Sequence, residues 1–259
     1  MTDFETAIAG LDLGLFGEIE SQSSDEDKRS LLACQLAARG LRPKYSYLEI
    51  GSYLGGSIQP YLLDPRCERI FSIDKRPETQ PDSRGVDYTY LNNSTARMLE
   101  NLARVASTGK ITTIDGSTRD IDRSRVDAKI DVCFIDGEHT DDAVLTDFNF
   151  CLDALAEIGA VLFHDASVTY NGIERCIRHL DETGVTYRAY SLPNIVFVIE
   201  IGDFPMHRSP AVLDRLTNNH ASYIYSLRSN DYYRQFANKP PFRLYRRAVA
   251  KWKGLNKFE

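Results

Sequence analysis

The stretch Tyr47-Leu-Glu-Ile-Gly-Ser-Tyr-Leu-Gly-Gly-Ser57, together with Ile70-Phe-Ser-Ile-Asp74, decides the fold of this chain. A short apolar run breaks into a cluster of glycine and serine, and a second apolar run follows that stops at an acid. This order predicts a strand, a tight turn, a helix and a second strand. Gly51 and Gly55 allow the backbone to turn sharply and to approach a ligand closely.

Two acids stand at the ends of these predicted strands, Glu49 in the first and Asp74 in the second. Because neighbouring parallel strands end at the same edge of a sheet, the two carboxylates suit the diol of a ribose. A nicotinamide-binding loop usually reads G-x-G-x-x-G. The spacing Gly51-x-x-x-Gly55-Gly56 disfavours that interpretation, and an ordinary strand-to-helix turn without a ligand stays an alternative.

Length and composition fit one α/β domain with appendages. The chain has 259 residues, of which 42% are hydrophobic, enough for one sizeable core. Its net charge of -6 argues against general nucleic-acid binding, which needs a basic face. Scattered cysteines without C-x-x-C spacing favour a reducing cytoplasm. The polar start and the lack of a long apolar run predict neither a signal peptide nor a membrane span.

The pattern Glu49-x-Gly51-x-x-x-Gly55-x-Ser57 resembles the first motif of class I S-adenosylmethionine-dependent methyltransferases, most of all that of the small-molecule O-methyltransferases. In that family the loop holds the methionine part of the cofactor, and the acid that matches Asp74 holds the ribose hydroxyls. The resemblance therefore implies S-adenosyl-L-methionine as the cofactor. Its binding residues would be those of the loop and of the next strand end: Glu49, Gly51, Ser52, Gly55, Ser57, Asp74 and Lys75.

The third predicted strand, Lys110-Ile-Thr-Thr-Ile-Asp115, runs into Gly116, Ser117 and Thr118. Small polar residues at a strand end lie where open parallel sheets bind ligands. In the O-methyltransferases similar residues flank the adenine, so we assign Ser117 and Thr118 to the cofactor site. A Gly-Ser-Thr turn is also common loop chemistry, and that interpretation stays open.

A second group of ionisable residues follows two later apolar runs. One run ends at Asp136 and is followed by His139, and the next ends in His164 and Asp165. These side chains are expected to converge on one edge of the sheet. Carboxylate oxygens with one imidazole can hold a divalent cation, which predicts Mg²⁺ or Mn²⁺ on Asp136, His164 and Asp165.

This part of the chain resembles the branch of class I methyltransferases that carries an Asp-Gly-x-His motif and a later acidic pair, found among sugar and natural-product O-methyltransferases (methyltransferase family 24). The resemblance covers residues 47–166. In that branch the His matching His139 is the general base. The Asp matching Asp136 binds the cation in metal-dependent members, so we assign Asp136 to the catalytic, cofactor and metal sites alike.

Two departures from that pattern concern the metal. His164 stands where many relatives have Asp or Glu, and Ala166 stands where catechol-type relatives have Asn. One ligand is therefore altered and another is missing. If a metal is present, it would orient two substrate oxygens while neutral His139 takes the proton from the acceptor hydroxyl.

Plainer roles exist for the same residues. His139 could cap the helix that it precedes, and His164 and Asp165 could solvate a strand end. Acids that continue the run favour the dipole of a first helical turn, so we interpret them as structural. They are Glu138, Asp141, Asp142 and Asp147.

The remaining elements follow from helical and strand signals. A helix is predicted from Ser23 to Gly40, a short one after Ser57 with Pro60 in its first turn, and an amphipathic one over residues 93–106. Residues 74–85 read as a loop, and residues 186–201 as a closing antiparallel pair. The fold class is therefore α/β, a doubly wound, mostly parallel sheet with a C-terminal antiparallel strand pair.

The predicted organisation has three parts. They are a helical arm or lid (1–46), a class I methyltransferase domain (47–202) and a helical extension (203–259). The tail from Lys239 carries seven Lys or Arg against one acid and interleaves them with apolar residues. This pattern is typical of a basic amphipathic helix that lies on an anionic membrane or on an acidic face of its own fold. The tyrosines ahead of it suit a substrate wall or a homo-oligomer contact.

The sequence thus predicts a cytoplasmic O-methyltransferase, peripheral to the inner face of the membrane if the tail binds lipid. Its acceptor would be a hydroxyl of a small molecule or carbohydrate, with no nucleic-acid partner. Two alternatives stay open. Cephalosporin hydroxylase-like proteins also resemble this branch, which implies a metal-dependent oxygenase. The substitution at His164 is also compatible with a cofactor-binding or scaffolding protein that has lost catalysis.

Overall fold

A computed structural model of the protein describes residues 3–83, 85, 87–217, 224, 239–242, 244–245 and 248–249. The strands are β1 (Tyr45–Ile50), β2 (Cys67–Asp74), β3 (Thr79–Pro81), β4 (Asp87–Thr89), β5 (Ile111–Asp115), β6 (Ile130–Ile135), β7 (Leu155–Phe163), β8 (Tyr187–Ser191) and β9 (Phe197–Ile201). The α-helices are α1 (Phe4–Ala9), α2 (Asp25–Leu41), α3 (Gln59–Leu63), α4 (Thr95–Val105), α5 (Asp141–Ala154), α6 (Tyr170–Thr183) and α7 (Pro210–Thr217). Short 3₁₀ turns lie at Leu13–Phe16, Arg123–Arg125 and Met206–Arg208.

Seven of these strands form one sheet in the order β5-β2-β1-β6-β7-β9-β8. The pairs from β5 across to β7 are parallel, and β9 runs antiparallel to both of its neighbours. The predicted doubly wound sheet with a closing antiparallel pair is confirmed. The chain leaves β1 toward β2 on one side and returns to β6 on the other. The crevice of such a sheet therefore opens at the tips of β1 and β6.

Helices cover both faces of the sheet because alternate strand residues are apolar on both sides. Tyr47 and Phe134 pack with the helices α2, α3 and α4 on one face. Leu48 and Cys133, their neighbours in sequence, pack with α5 and α6 on the other face. A strand that is buried on both faces needs this continuous apolar run, which is why the central strands could be recognised from sequence.

The helix before β1 begins and ends close to its predicted limits. Ser24 is the N-cap, and its side chain and that of Asp27 form a reciprocal capping box. The prediction that Gly40 ends the helix is off by one residue, because the helix continues to Leu41. A glycine within a last helical turn lowers stability without forcing a stop. Pro60 lies in the first turn of α3 as predicted, where its missing N–H costs nothing.

The prediction of a loop over residues 74–85 is wrong in one respect. A small antiparallel hairpin of β3 and β4 begins within these residues. Each of its strands has three residues, mostly exposed, so no apolar alternation marks them in the sequence. The hairpin is instead fixed by a contact distant in sequence. Asp82 bridges to His139, and the Ser83 N–H donates to the His139 carbonyl at 2.8 Å.

The chain after β9 folds back onto α2. Arg215 of α7 donates to the Ser30 hydroxyl at 3.1 Å and to the Glu26 carboxylate at 2.8 Å. Most residues of the predicted basic helix, and the tyrosines Tyr223, Tyr225, Tyr232 and Tyr233, lie outside the described residues. Within the described part of the chain, every helix is too short or too polar to cross a bilayer.

The tips of β1 and β6 touch at Gly51. The backbone at Gly51 has φ of +90°, and a Cβ atom there would lie 2.1 Å from the Asp136 carbonyl oxygen. That distance is far inside van der Waals contact, and the oxygen belongs to backbone that cannot rotate away. The first glycine of the motif is therefore required because two strand ends meet in the crevice.

We expect Gly51→Ala to destabilise the protein by about 3–5 kcal/mol, since strain at positive φ and a backbone clash add together. Gly184→Ala is the matched control. Gly184 has φ of +68° and nothing within 4 Å of its Cβ position, so only the conformational penalty of about 1 kcal/mol applies. Urea denaturation measures both variants, and equal losses would contradict the proposed contact.

Candidate active site

Functional side chains line up along the carboxyl edge of the sheet. The strands β2 and β5 end in Asp74 and Asp115, and Asp136 and His164 directly follow β6 and β7. Backbone hydrogen bonds continue the ladder past the strand ends, from Asp136 N to Ile50 O at 2.8 Å and from His164 N to Ile135 O at 3.0 Å. The sheet therefore places Asp136 and His164 at the same edge, as the sequence predicted.

The other two glycines of the motif are required by packing. At Gly55, with φ of +88°, a Cβ atom would lie 2.9 Å from the Leu102 side chain on α4. At Gly56 it would lie 2.6 Å from the Glu20 carbonyl oxygen. The loop is therefore clamped between α4 on one side and the N-terminal segment on the other, which fixes its path.

Glu49 lies beneath this loop and is fully buried. Its carboxylate accepts hydrogen bonds of 2.6 Å from the hydroxyls of Tyr47 and Ser57. Burial raises the pKa of Glu49 to about 8, against the two hydroxyl donors that lower it. Ser57 lines a cavity, whereas Glu49 does not. Glu49 is therefore linked to the cavity through its hydrogen bond with Ser57. Direct contact between Glu49 and the cofactor stays a prediction.

Asp74 is held by donors from its own fold. Its carboxylate accepts from the backbone N–H groups of Tyr53 at 2.9 Å and Arg76 at 2.7 Å. It also pairs with the Arg76 guanidinium at 3.2 Å. The same guanidinium donates to the Ser52 hydroxyl at 3.1 Å. Arg76 therefore ties the acid of β2 to the glycine loop.

A first cavity of about 370 Å³ lies between the tips of β1, β2 and β5 and the start of α5. Lys75 and Glu138 form an ion pair of 2.7 Å among its lining residues. Ser117 and Thr118 also line it, and their contact with a cofactor stays a prediction. Asp115, the strand-end acid beside them, is exposed and bonds to Thr95.

Asp147 also lines the first cavity, although its sequence context indicated a purely structural acid. It is buried and accepts a hydrogen bond from the Thr118 hydroxyl. Burial raises the pKa of Asp147 to about 7, while the Thr118 bond and the Lys75 charge oppose that rise. Glu138 and Asp142 line this cavity too, so three of the four acids interpreted as structural lie in its wall.

A second cavity of about 470 Å³ adjoins the first, and both are lined by Gly51, Asp74 and Gln80. Its aromatic lining consists of Tyr53, Tyr88 and Tyr90. Its ionisable lining brings together the later strand ends: Asp136, His139, His164 and Asp165. The two predicted constellations therefore face one continuous cleft.

His139 stands in the loop between β6 and α5, two residues ahead of the helix. Thr140 is the N-cap of α5, so the alternative in which His139 caps the helix is wrong. The His139 Nε2 atom lies 3.2 Å from Asp165 Oδ2, and its Nδ1 atom lies 3.5 Å from Asp82 Oδ2. The ring is thus held by an acid on each side, and its Nε2 atom lies beside the strand-end acids.

His164 is buried among three carboxylates. Its Nδ1 atom lies 3.1 Å from Asp136 Oδ1 and 2.9 Å from Asp165 Oδ2, and its Nε2 atom lies 3.7 Å from Asp27 Oδ2. Burial alone would lower the pKa of His164. The charge of Asp136 and the hydrogen bonds to the surrounding acids outweigh burial and raise that pKa well above its usual range. The three carboxylates around His164 therefore favour its protonated form.

The same acids form a candidate donor set for a cation. One ligand atom each from Asp136, His139 and Asp165 can be chosen so that all lie within 4.8 Å of one another. Two carboxylate oxygens and one imidazole fit Mg²⁺ or Mn²⁺. The predicted set of Asp136, His164 and Asp165 shares the two acids and differs in the histidine.

Sequence reasoning missed Arg76, Asp82 and Asp147. Arg76 is a charged residue in a loop, and nothing local shows that its guanidinium is buried against Asp74. Asp82 lies between two strands too short to be recognised. A signal did exist for Asp147: an acid on the mostly apolar, buried side of α5 calls for a partner, and Thr118 is that partner.

Comparison with known proteins agrees with this geometry. Residues 48–166 match the sequence profile of the family described as "Methyltransferase domain" (methyltransferase family 24). Residues 48–166 therefore form a methyltransferase domain that is similar to this family. The resemblance inferred from the Glu49 and Asp136 motifs is thereby confirmed, and it favours methyl transfer over the oxygenase alternative. No protein with a curated function matches the methyltransferase in sequence.

Solved structures share the fold of the methyltransferase. One is the O-methyltransferase TomG from Streptomyces achromogenes with SAM, at 17% identity and a TM-score of 0.50, covering 75% of this chain and 88% of that chain. The O-methyltransferase NovP matches at 11% identity and 0.57, covering 76% and 99%. An O-methyltransferase from Bacillus cereus in complex with SAH matches at 13% and 0.50, covering 76% and 88%. At these identities the likeness shows the fold.

We expect the raised pKa of Asp147 to make stability depend on pH. Between about pH 4 and 7 the unfolded chain ionises at this residue while the native protein keeps the proton, so native stability falls as pH rises. The fall attributable to Asp147 is on the order of 3 kcal/mol. Asp147→Asn keeps an acceptor for Thr118 and should lose this part of the pH dependence in denaturant titrations.

Asp153→Asn serves as the control, because Asp153 is an exposed acid on the same helix. It should leave the pH profile of unfolding close to that of the wild type. A profile of Asp147→Asn that matches the wild type between pH 4 and 7 would contradict the raised pKa.

Proposed function

We propose that this methyltransferase moves the methyl group of S-adenosyl-L-methionine to a hydroxyl oxygen of a small-molecule or carbohydrate acceptor. The observation that carries the proposal is the continuous cleft formed by the two cavities, with His139 and two acids in the wall of the second. A donor and an acceptor need adjoining spaces of this kind. The O-methyltransferases that share the fold support the choice of oxygen.

The first cavity suits the adenosine part of the donor and the glycine loop its methionine part. Ser117, Thr118 and Asp147 offer hydroxyl and carboxyl groups to a base, and Lys75 and Asp74 lie toward the ribose side. Bound there, S-adenosyl-L-methionine supplies a sulfonium-activated methyl group. The protein therefore has mainly to position the acceptor oxygen and to remove its proton.

His139 is proposed to remove that proton. Its Nε2 atom lies beside the strand-end acids, while Asp82, whose side chain is buried, holds the opposite nitrogen. An acid behind an imidazole fixes the ring and stabilises the charge that develops when it takes a proton. With that proton removed, the acceptor oxygen would be the nucleophile toward the methyl group of the donor, whose sulfur would leave as a neutral thioether.

The second cavity supports a small acceptor that carries hydroxyl groups. Tyr53 and Tyr90 stand edge to face with ring centroids 5.2 Å apart, and Gln80 and Asn93 add amides. Aromatic faces bind the apolar faces of sugars and rings, and amides bind hydroxyls. An accompanying divalent ion is proposed on Asp136 and Asp165, where it would polarise the acceptor hydroxyl.

Calorimetric titration with S-adenosylhomocysteine tests the cofactor site. We expect a micromolar Kd, which corresponds to a binding free energy of about 8 kcal/mol. Most of this affinity should be lost in Asp74→Ala. Asp115→Ala is the control, because Asp115 is the strand-end acid paired with Asp74 across β2 and β5 but is exposed. It should change Kd by less than about threefold. Failure of the wild type to bind would contradict the proposed cofactor.

Transfer of a labelled methyl group to a panel of catechols and monosaccharides tests His139 as the general base. His139→Gln should lower the rate about 10²–10⁴-fold while Kd for S-adenosylhomocysteine stays unchanged. Binding without transfer to any acceptor by the wild type would favour a cofactor-binding protein that has lost catalysis.

Mn²⁺ binding followed by electron paramagnetic resonance tests the metal site. His164 Nδ1 lies 3.1 Å from Asp136 and 2.9 Å from Asp165, so this ring competes with a cation for both acids, and His164→Asp should tighten Mn²⁺ binding by about tenfold or more. Asp165→Asn should weaken it by a similar factor. His179→Asn, remote on α6, should have no effect. Weaker Mn²⁺ binding by His164→Asp would contradict the competition.

A further inference from the structure

Residues 17–22 follow the first 3₁₀ turn and form one wall of the second cavity. Glu20, Ser21 and Gln22 line that cavity opposite the acids of β6 and β7. The segment meets the glycine loop backbone to backbone. A Cβ atom on Gly56 would lie 2.6 Å from the Glu20 carbonyl oxygen and 2.9 Å from Ser21 Cα. The wall therefore closes directly on the methionine end of the proposed cofactor site.

One buried side chain joins this wall to the loop. Gln59, the first residue of α3, is fully buried. Its Oε1 atom accepts from the Glu18 N–H at 3.0 Å and the Ile19 N–H at 2.9 Å. Its Nε2 atom donates to the carbonyls of Ile19 and Gly56, each at 2.8 Å.

These bonds replace secondary structure in the segment. Residues 17–22 belong to no helix or strand, so the Glu18 and Ile19 amides find their acceptor in a side chain. Ile19 is buried in the main core, whereas Glu20 and Gln22 are exposed. Since a buried amide seldom stays unpaired, losing Gln59 would release this backbone to solvent.

We propose that Gln59 is a positioning residue that fixes residues 17–22 as the wall of the methionine end of the cofactor site. A wall ordered before the ligand arrives adds no ordering entropy to binding, so cofactor affinity depends on this amide. The inference rests on the proposed function for the identity of the ligand. Gln59 itself touches neither cavity, and its effect passes through the wall and the loop.

A second buried glutamine provides a matched control. Gln35 is fully buried, and its amide donates to the Tyr45 hydroxyl, the Pro60 carbonyl and Asp64. None of these partners belongs to residues 17–22. Gln59→Leu and Gln35→Leu therefore remove the same chemical group from equally buried places, and only the first frees the wall.

Hydrogen exchange read by mass spectrometry on the full chain tests the positioning role without ligand. In Gln59→Leu the Glu18 and Ile19 amides should exchange at least about tenfold faster than in the wild type, and in Gln35→Leu at the wild-type rate. Unchanged exchange in Gln59→Leu would overturn the proposal. If Gln59→Leu fails to fold, Gln59→Asn, which is too short to span wall and loop, replaces it.

Calorimetry with S-adenosylhomocysteine tests the consequence for binding. Its Kd should rise about tenfold in Gln59→Leu and less than about threefold in Gln35→Leu. Equal losses in the two variants would overturn the link to the ligand. If the wild type binds no S-adenosylhomocysteine, the proposed function fails, while the exchange rates still decide whether Gln59 holds the wall.

Discussion

Backbone hydrogen bonds between the tips of parallel strands are the constraint on which the rest of the structure depends. Gly51 N donates to Ile73 O, and Asp136 N donates to Ile50 O, both at 2.8 Å. They carry the rigid ladder of the sheet one residue beyond its strands. The side chains at and just after these strand tips are therefore attached to backbone that is held by hydrogen bonds. Tyr53, two residues beyond Gly51, has a positive φ and donates its N–H to the Asp74 carboxylate at 2.9 Å.

Electrostatics on this edge follows from the same placement. Parallel strands bring their terminal acids together, and buried carboxylates need partners. Arg76 forms an ion pair with Asp74, and the His164 ring lies against Asp136, Asp165 and Asp27. Asp27 lies in the first turn of α2 and forms the capping box with Ser24, so the charge balance of the site extends into the helix that precedes the sheet. His164 thus lies against two acids, Asp136 and Asp165, that belong to the candidate donor set for a cation.

In methyl transfer from an activated donor, the protein has mainly to position the donor and the acceptor, because the donor itself supplies the reactive methyl group. The fold meets this demand with two adjoining cavities and a single proposed base. The walls of the second cavity come from chain segments remote in sequence, the segment 17–22, the hairpin of β3 and β4, and the tips of β6 and β7. Its shape is consequently set by contacts among these segments.

The sequence by itself determined the strands of the central sheet, the glycine turn and the acids at the strand ends, because each has a local signature of period or composition. Tertiary structure alone decided that Arg76 is buried on Asp74, that Asp82 stands behind His139 and that His164 is surrounded by acids. It also showed that Gly56 is required by the segment 17–22. These facts arise between residues distant along the chain, where the energy of a contact depends on burial and geometry that no local pattern encodes.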